Sequence, residues 1–388
     1  MNRRKFLSLS ALAGASVVVA PQVSMASVGI KREDETIPTR ILGKTGIKIP
    51  ILSMGVMRAD NPAVVRAAYN SGITHFDTAH SYQSGRNEEM LGNFFRDKDR
   101  STFTIATKVK ANPNAENFEQ NYEDLLNTSL KRLQMNYVDI FYVHAIDNLE
   151  DINHPRLIAL LKKFKEEGKI KHIGFSTHAN KPDQIDEAIK AGIFEVIMIS
   201  YNFKLGILPE LDAALGRGAD AGIGFVAMKT MVGGVEDANG KKIVNGAACL
   251  RWAWQNPNII TAIPGFTSFD LLDNCLEAAH SPELKESDIQ YLAGLQDNEL
   301  LYCQNCGQCV RNCQKNLAII PTVMRAYMYN YGYRQPALAK ETLAELQLTG
   351  NECTGCTNCS VHCPSGFKVA DKIAAIAPIV NVPDSFLA

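Results

Sequence analysis

The sequence predicts an α/β protein, a (βα)8 barrel followed by a small cysteine-rich domain, and three observations carry this prediction. Apolar runs of strand length alternate eight times with helical patterns between residues 51 and 279, as expected for consecutive strand–helix units. The strands are continuous apolar runs such as Ile197-Met198-Ile199, which is typical of parallel strands with both faces buried. Eight of the ten cysteines fall within residues 303–363.

The eight units follow one another along the chain. Strands are expected at residues 51–55, 74–77, 104–107, 138–143, 170–176, 196–199, 224–229 and 260–263. The helices that follow them are expected at residues 62–71, 88–95, 115–133, 152–167, 182–191, 209–217, 246–255 and 268–279. Eight such units favour a TIM-type barrel. The alternative, an open doubly wound sheet, would carry a glycine fingerprint after its first strand, and Gly55-Val56-Met57-Arg58 is not one.

Composition and charge narrow the classes of protein further. The chain has 388 residues, of which 46% are hydrophobic and 21% charged, and this is a globular composition. Forty basic residues against 41 acidic ones give a net charge of -1, so no chain-wide positive field is present to bind nucleic acid. We expect a signal peptide at residues 1–26, a linker at 27–38, the barrel at 39–295 and the cysteine-rich domain at 296–388.

The amino terminus has the features of an export signal. Residues 3–5 are Arg-Arg-Lys, an apolar stretch at residues 7–20 is too short to span a bilayer comfortably, and residues 24–26 match a small-x-small cleavage site. The run around the arginine pair resembles a twin-arginine signal, the bacterial route for cargo that is already folded, which predicts a periplasmic location. An ordinary secretory signal and an uncleaved anchor are the alternatives.

Four polar residues stand at the carboxyl ends of neighbouring predicted strands, where barrel enzymes place their chemistry. Asp77 closes the second strand and Tyr82 follows it, while Lys108 closes the third strand and His144 the fourth. Each also has a structural alternative: a helix cap, a loop aromatic, a solvated lysine or a buried histidine. Together they predict a general-acid site for carbonyl reduction, in which an ammonium lowers the pKa of a tyrosine and a histidine orients the carbonyl.

The motifs in this part of the chain resemble, in order, those of the aldo-keto reductase family. The matching runs are Leu42-Gly43-Lys44-Thr45-Gly46, His75-Phe76-Asp77-Thr78-Ala79 with Tyr82, Gly85 and Glu88, Thr107-Lys108, Val143-His144, Ile173-Gly174-Phe175-Ser176, Tyr201-Asn202 and Ile263-Pro264-Gly265. The resemblance extends over residues 38–295. It implies a (βα)8 barrel, a nicotinamide cofactor and a catalytic tetrad of Asp77, Tyr82, Lys108 and His144, with Tyr82 as the proton donor.

The resemblance also points to residues that would contact the nicotinamide cofactor, NAD(P)(H). They are Gly55, Ser176, Met228, Lys229, Gly265, Thr267, Ser268 and Asn274. Several positions differ from the family's pattern: Thr177 replaces an Asn, Met198 stands where a Gln is usual, and Met228 where a stacking Tyr is usual. A cofactor phosphate could still bind the amides at the start of the eighth helix. Either the cofactor travels bound through export, or the barrel no longer uses it.

Two cysteine runs repeat the same spacing. They are Cys303-x2-Cys306-x2-Cys309-x3-Cys313 and Cys353-x2-Cys356-x2-Cys359-x3-Cys363. This is the spacing of bacterial ferredoxins with two 4Fe-4S clusters, in which the fourth cysteine of each run binds the other cluster. The two predicted ligand sets are therefore Cys303, Cys306, Cys309 and Cys363, and Cys353, Cys356, Cys359 and Cys313. Zinc is the alternative, although zinc sites more often use two separated cysteine pairs.

The combination resembles the aldo-keto reductases that carry a carboxy-terminal ferredoxin-like domain. It implies an exported oxidoreductase that acts on a small carbonyl or alcohol substrate, with clusters that move electrons. A nicotinamide transfers two electrons at once, whereas a cluster accepts one electron at a time. Either the clusters are therefore structural, or a redox partner protein supplies the group that divides the electron pair into single electrons. The alternatives are an electron-transfer protein whose barrel no longer uses nicotinamide, and a zinc-stapled binding module. The tyrosines within residues 327–333 are expected to pack around the clusters.

Overall fold

The computed structural model describes most of the chain after its amino terminus. The described residues are 36–232, 235–236, 242–243, 245–295, 303, 305, 307–315, 317, 319–344, 346, 353, 356, 359–363 and 366–387. From residue 36 onwards the chain forms one compact unit. The predicted signal peptide at residues 1–26, most of the linker and Cys306 lie outside the described residues, so what the sequence predicts for them stays a prediction.

Eight parallel strands form a barrel, which confirms the predicted fold class. They are β1 (Met54–Gly55), β2 (His75–Asp77), β3 (Thr104–Val109), β4 (Val138–Val143), β5 (Ile170–Thr177), β6 (Val196–Ser200), β7 (Gly224–Met228) and β8 (Ile259–Ala262). Strands that are neighbours in the chain are neighbours in the sheet. The barrel closes where Leu52 bridges Ala262, with the Ser53 amide donating to the Ala262 carbonyl at 2.9 Å. Closure gathers the carboxyl ends of all eight strands at one rim.

One main helix follows each strand on the outside of the barrel. These helices are α1 (Pro62–Asn70), α2 (Arg86–Phe95), α3 (Phe118–Leu133), α4 (Pro155–Glu166), α5 (Lys181–Ala191), α6 (Leu208–Asp220), α7 (Gly246–Trp254) and α8 (Phe269–His280). A separate short helix, Leu149–Ile152, precedes α4. The helix predicted at residues 152–167 therefore begins three residues later, at Pro155, because proline favours the first position of a helix. None of the described helices is long and apolar enough to cross a membrane.

The inside of the barrel is a packed core that an amino-terminal hairpin covers at one end. The hairpin strands, Thr39–Ile41 and Lys48–Pro50, pair antiparallel. Leu42 and Ile49 of this hairpin are fully buried in a cluster with side chains from inside the barrel. A methyl group added at Gly224, the first residue of β7, would lie 2.7 Å from the Leu42 side chain. The hairpin therefore covers the amino-terminal ends of the strands and leaves the opposite rim for chemistry.

The segment after the barrel packs onto the barrel. Its helices are α9 (Glu286–Gly294), α10 (Ile320–Tyr327), α11 (Pro336–Ala344) and α12 (Val369–Ile376), and α10 continues as a π-helix over Met328–Gly332. Val323 and Met324 of α10 are buried in one hydrophobic cluster with Ala248 and Cys249 of the barrel helix α7. The two segments thus share a core, and the predicted boundary at residue 295 stays a prediction.

Gly174, within β5, occupies a position with no room for a side chain. A methyl group there would lie 2.5 Å from the Val196 carbonyl oxygen and 2.7 Å from the Tyr142 ring. We expect Gly174→Ala to lower the free energy of unfolding by about 1–3 kcal/mol, because a packed interior accepts the extra carbon only by moving backbone. Urea unfolding of the anaerobically purified protein measures this loss.

Gly216→Ala is the matched control for this substitution. Gly216 lies in α6, and no atom of a neighbouring element stands within 4 Å of the added methyl group. Stability should stay the same or rise by up to about 1 kcal/mol, because alanine favours a helix over glycine. Equal losses in the two variants would contradict the packing described for the barrel interior.

Candidate active site and cysteine cavity

A cavity of about 210 Å³ lies at the carboxyl ends of the barrel strands, and all four residues of the predicted tetrad line it. Asp77 ends β2, Lys108 lies one residue before the end of β3, Tyr82 stands in the turn after β2, and His144 directly follows β4. The parallel register aligns Asp77 with Ala106 of β3. The structure therefore brings together the four side chains that the sequence singles out.

Asp77 and Lys108 form a buried ion pair in this cavity. The Lys108 Nζ donates to the Asp77 Oδ1 and, at 2.7 Å, to the Thr78 carbonyl oxygen. The lysine and aspartate side chains are only 1% and 3% exposed. Burial raises the pKa of Asp77 to about 6 and lowers the pKa of Lys108, and each charge partly offsets the shift of the other. Because both charges are removed from water, each depends on the other for its stability.

Tyr82 is held against this ion pair by a constrained turn. Gln83, the next residue, has a φ of 49° in the left-handed region, and its Nε2 donates to the Met57 carbonyl at 3.2 Å. The Lys108 Nζ lies 5.1 Å from the centroid of the Tyr82 ring, and the His144 ring meets the Tyr82 ring edge-on with centroids 5.8 Å apart. The turn thus keeps the phenol beside both the cation and the imidazole.

The Tyr82 phenol is a weaker acid than the sequence argument expects. Burial, the Asp77 carboxylate and the neighbouring Tyr329 and Tyr333 raise the pKa of Tyr82 well above its usual value. The expected lowering of this pKa by Lys108 is wrong for the resting site, because the Asp77 carboxylate offsets the ammonium and burial outweighs the remainder. Tyr82 is therefore fully protonated near neutral pH, which is the state that a proton donor requires.

His144 is neutral in this environment. Its backbone amide donates to the Val109 carbonyl at 2.8 Å, which fixes the residue between β3 and β4. Burial and the positive charges of Lys108, Lys110 and Arg325 lower the pKa of His144 well below its usual value. A neutral imidazole keeps one N–H donor, so His144 can hydrogen-bond a substrate oxygen while Tyr82 remains the acid.

The carboxy-terminal segment supplies one wall of the cavity. Cys303, Met328, Tyr329 and Tyr333 line the cavity beside the barrel residues. The Arg58 guanidinium, in the loop after β1, lies 5.0 Å from the Tyr333 ring centroid and joins the two segments. The sequence places these tyrosines only around the clusters. Tyr329 and Tyr333 are four positions apart, which predicts that they lie on one face of a helix. This spacing does not predict that the face covers the barrel cavity.

An ion pair fixes α10 to the barrel loop after β4. The Arg325 Nη1 donates to the Asp147 Oδ2 at 3.0 Å and lies 3.0 Å from the His178 Nδ1. The backbone amides of His178 and Ala179 donate to the other carboxylate oxygen of Asp147, at 2.9 and 3.3 Å. The Arg325 side chain is largely buried in this contact. This contact therefore sets the position of Tyr329 and Tyr333, which follow α10, relative to the barrel rim.

Five of the residues predicted to contact the nicotinamide cofactor line the cavity. They are Gly55, Ser176, Met228, Lys229 and Gly265. The other three, which are not among the described lining residues, are Thr267, Ser268 and Asn274. The Ser268 hydroxyl accepts a hydrogen bond from the Leu271 amide at 3.3 Å and caps α8, and the Asn274 Oδ1 accepts one from the Ala247 amide at 3.1 Å. In this structure the side chains of Ser268 and Asn274 therefore accept hydrogen bonds from backbone amides of the protein itself.

The end of β7 offers groups that a bound molecule would satisfy. Thr230 is 1% exposed and lines the cavity, and its Oγ1 has no hydrogen-bond partner among the described residues. Lys229 beside it is in the left-handed region with a φ of 57°, and burial and Arg325 lower the pKa of Lys229 to about 7. A buried hydroxyl that lacks a hydrogen bond raises the free energy of the folded protein unless a ligand supplies the missing partner. This wall therefore fits a polar or anionic ligand, and a nicotinamide dinucleotide is one such ligand.

A second cavity, of about 140 Å³, lies in the cysteine-rich segment. Cys313, Cys353, Cys356 and Cys359 all line it, and these are the four cysteines that the ferredoxin spacing assigns to one cluster. Within the described residues, no three Cys, His, Asp or Glu side chains converge to hold a single metal ion. In a cube each thiolate binds a different iron, so its four sulfurs need not converge on one point. The residues present therefore fit an iron–sulfur cluster.

The other predicted ligand set is described in part. Cys303, Cys309 and Cys363 pack in the hydrophobic cluster that includes α10 and α12, and Cys306 lies outside the described residues. The Asn305 amide donates to the Cys303 Sγ at 3.3 Å, an N–H···S contact of the kind that tunes cluster ligands. Cys313, from the same run, lies in the other cavity with the cysteines of the second run. This placement supports the crossed assignment of the fourth cysteines.

Comparison with known proteins identifies both parts of the chain. The model of the aldo/keto reductase family matches residues 52–243. The model of the 4Fe-4S dicluster domain matches residues 302–368. The chain thus carries an aldo-keto reductase domain on the barrel that holds the tetrad, followed by a 4Fe-4S dicluster domain that holds both cysteine runs.

Individual relatives extend over much of the barrel. A Glycine max protein named "Probable aldo-keto reductase 1" is 27% identical over 304 residues, which is 64% of this chain and 86% of that protein. The L-galactose dehydrogenase of Arabidopsis thaliana is 34% identical over 155 residues, which is 36% of this chain and only about half, 48%, of that enzyme. The solved aldo-keto reductase of Bacillus halodurans, in its holo form, has a TM-score of 0.54 at 21% identity over 67% of this chain and 96% of that one.

The last of these matches supports the barrel fold, and the family model supports the class of reaction. The chain is an oxidoreductase built on the aldo-keto reductase barrel, and NAD(P) is the typical cofactor of that family.

Proposed function

We propose that this chain is an exported oxidoreductase that interconverts a small carbonyl compound and its alcohol in the barrel cavity, with two 4Fe-4S clusters in its carboxy-terminal segment. The observation that carries the proposal is the buried pair of Asp77 and Lys108 beside the Tyr82 phenol, with the neutral His144 against the same ring. The matches to both domain models support the reaction class and the clusters.

Proton transfer is the part of the reaction that falls to this chain's own residues. Tyr82, which its raised pKa keeps protonated, donates its proton to the carbonyl oxygen as that oxygen gains negative charge. The His144 imidazole donates a hydrogen bond to the same oxygen and orients the carbonyl. In the opposite direction the phenolate of Tyr82 accepts the proton of the alcohol.

Lys108 acts on Tyr82 and not on the substrate. Its ammonium lies 5.1 Å from the ring centroid, so it stabilises the negative charge that develops on the phenol oxygen when the proton leaves. Asp77 keeps the ammonium charged and in place, and the near-complete burial of the pair excludes water that would screen this interaction. The three residues therefore work as a unit.

A nicotinamide cofactor, when bound, supplies or accepts a hydride at the carbonyl carbon. The residues that would hold it are those that line the cavity at the ends of β1, β5, β7 and β8, namely Gly55, Ser176, Met228, Lys229, Thr230 and Gly265. The Thr230 hydroxyl, which has no hydrogen-bond partner among the described residues, is the group on this wall that gains most from a ligand. The thioether of Met228 offers a polarisable apolar surface in place of an aromatic ring.

The two clusters, when bound, would store and pass single electrons. Cys313, Cys353, Cys356 and Cys359 would hold one of them, and Cys303, Cys306, Cys309 and Cys363 the other. A redox partner protein would meet the chain at the first of these sites, where Cys356 and Cys359 are exposed. Export by the twin-arginine machinery to the periplasm belongs to the same proposal, because cysteines loaded with clusters before export escape oxidation to disulfides.

The cavity wall favours one second candidate, an electron-transfer protein whose barrel no longer uses nicotinamide. Met198 and Met228 occupy positions where the family resemblance implies Gln and Tyr, and Cys303 lines the same cavity. Tight NAD(P) retained by protein purified from the exported fraction would reject this candidate. Loaded clusters without any nicotinamide binding would favour it.

Tyr82→Phe removes the proton donor and keeps the aromatic ring. We expect the kcat for small aldehydes and ketones with NAD(P)H to fall by a factor of about 10²–10⁴, which is the usual contribution of a general acid. The KM should change little, because the ring still fills its place in the cavity. Steady-state kinetics of the anaerobically purified protein separate the two constants.

Tyr69→Phe is the control for that variant. Tyr69 lies on α1, where its hydroxyl contacts the Thr102 Oγ1 at 2.9 Å at the protein surface. Loss of this hydroxyl should leave turnover unchanged, because Tyr69 does not line the cavity. Unchanged turnover in Tyr82→Phe would reject Tyr82 as the proton donor.

Cys359→Ser removes one thiolate from the cysteine cavity. We expect the iron and sulfide content of the anaerobically purified protein to fall by about half, because one cluster loses a ligand while the other keeps all four. Cys275→Ser is the control, since Cys275 is buried in the barrel core and belongs to neither cysteine run. Wild-type protein that contains zinc, or no iron and paired cysteines, would contradict the cluster assignment.

A further inference from the structure

The catalytic cavity and the first cysteine run share a wall. Cys303 lines the same cavity as Tyr82, Lys108 and His144. Its sulfur accepts a hydrogen bond from the Asn305 amide at 3.3 Å, and Asn305 is itself buried. A cluster held by Cys303 would therefore border the space in which the carbonyl substrate reacts.

Lys229 stands on this shared wall. Lys229 directly follows β7 and lines the same cavity as Cys303, and electrostatic interaction with Cys303 partly offsets the lowering of the pKa of Lys229. The left-handed backbone of Lys229 is held by two hydrogen bonds to its carbonyl oxygen, from the Asn202 Nδ2 at 3.1 Å and from the Val232 amide at 3.3 Å. Constrained backbone of this kind persists where the surrounding structure fixes it, and it is concentrated at functional sites.

Lys229 has no ion-pair partner among the described residues. The nearby carboxylate of Asp147 is engaged by Arg325 at 3.0 Å, and Asp77 is engaged by Lys108. Below its pKa of about 7, Lys229 therefore adds a positive charge to the cavity wall that it shares with Cys303. Such a charge in a partly dehydrated site acts strongly over a few ångströms and weakly beyond.

The second cysteine cavity has different surroundings. Among the described residues, its lining shares no member with that of the catalytic cavity. Cys356 and Cys359 are exposed there, and the cation in its lining is Lys315, an exposed surface lysine. The two predicted clusters would thus be inequivalent, one beside the catalytic cavity and one near the protein surface.

We propose that Lys229 is a positioning residue that couples the catalytic cavity electrostatically to the Cys303 cluster, so that only this cavity-side cluster responds to charge at the active site. The proposal rests on the cluster assignment in the proposed function and not on the carbonyl reaction. Reduction adds one electron to a cluster, supplied by the chemical reductant of the titration, and no bond forms or breaks. A nearby cation stabilises the added charge and raises the reduction potential.

The test is a redox titration of the full, anaerobically loaded chain at pH 6, followed by electron paramagnetic resonance. Lys229→Met should shift one of two midpoint potentials to a lower value and leave the other in place, because it removes a cation beside one cluster only. Lys229→Arg should keep both potentials near the wild-type values. If Lys229→Met impairs cluster loading, Lys229→Gln removes the same charge and retains a polar head.

Lys315→Met is the matched control, since it removes a lysine from the other cavity. It should leave unchanged the potential that Lys229→Met lowers, because Lys315 lines only the other cavity. A shift of the same signal by both variants, or wild-type potentials in Lys229→Met and Lys229→Gln, would overturn the coupling while the cluster assignment stands. Loaded wild-type protein without any cluster signal would overturn the cluster assignment and the coupling together.

Discussion

The buried pair of Lys108 and Asp77 is the interaction on which the rest of the site depends. Two opposite charges that are 1% and 3% exposed persist because each stabilises the other. Barrel closure provides the geometry, since the parallel register of β2 and β3 brings the two side chains to one rim. The protonated state of Tyr82 and the neutral state of His144 both follow from burial beside this pair. The closed barrel thus places and buries the ion pair, and the ion pair and its burial set the protonation states on which the proposed chemistry depends.

The cysteine-rich segment is part of the active site in a structural sense. After burial and the Asp77 carboxylate, electrostatic interactions with Tyr329 and Tyr333 raise the pKa of Tyr82 further. The contact between Arg325 and Asp147 fixes the helix before these tyrosines to the barrel rim. The barrel and this segment also share one hydrophobic core, since residues of α10 and α7 are buried in the same cluster.

The sequence predicts the parts of this arrangement that depend on local pattern. The sequence finds Asp77, Lys108 and His144 because each lies at, or directly after, the carboxyl end of an apolar strand. It finds the cysteine cavity because the ligands have a fixed spacing. The contact between Arg325 and Asp147 joins segments far apart in the chain, and no spacing rule connects them. The pKa of Tyr82 was predicted in the wrong direction because burial, which only the tertiary structure supplies, outweighs the charge of a lysine already paired with a carboxylate.

The pH dependence of turnover tests the central role of the ion pair most directly. Because burial raises the pKa of Asp77 to about 6, the carboxylate that holds Lys108 is ionised above this pH and protonated below it. As the pH drops below the pKa of Asp77, kcat should fall, approaching tenfold per pH unit; Lys229, whose pKa is about 7, is already largely protonated in that range. Burial lowers the pKa of His144 well below its usual value, which separates its protonation from that of Asp77. A kcat that stays level down to pH 5, or that rises as the pH falls, would contradict the account.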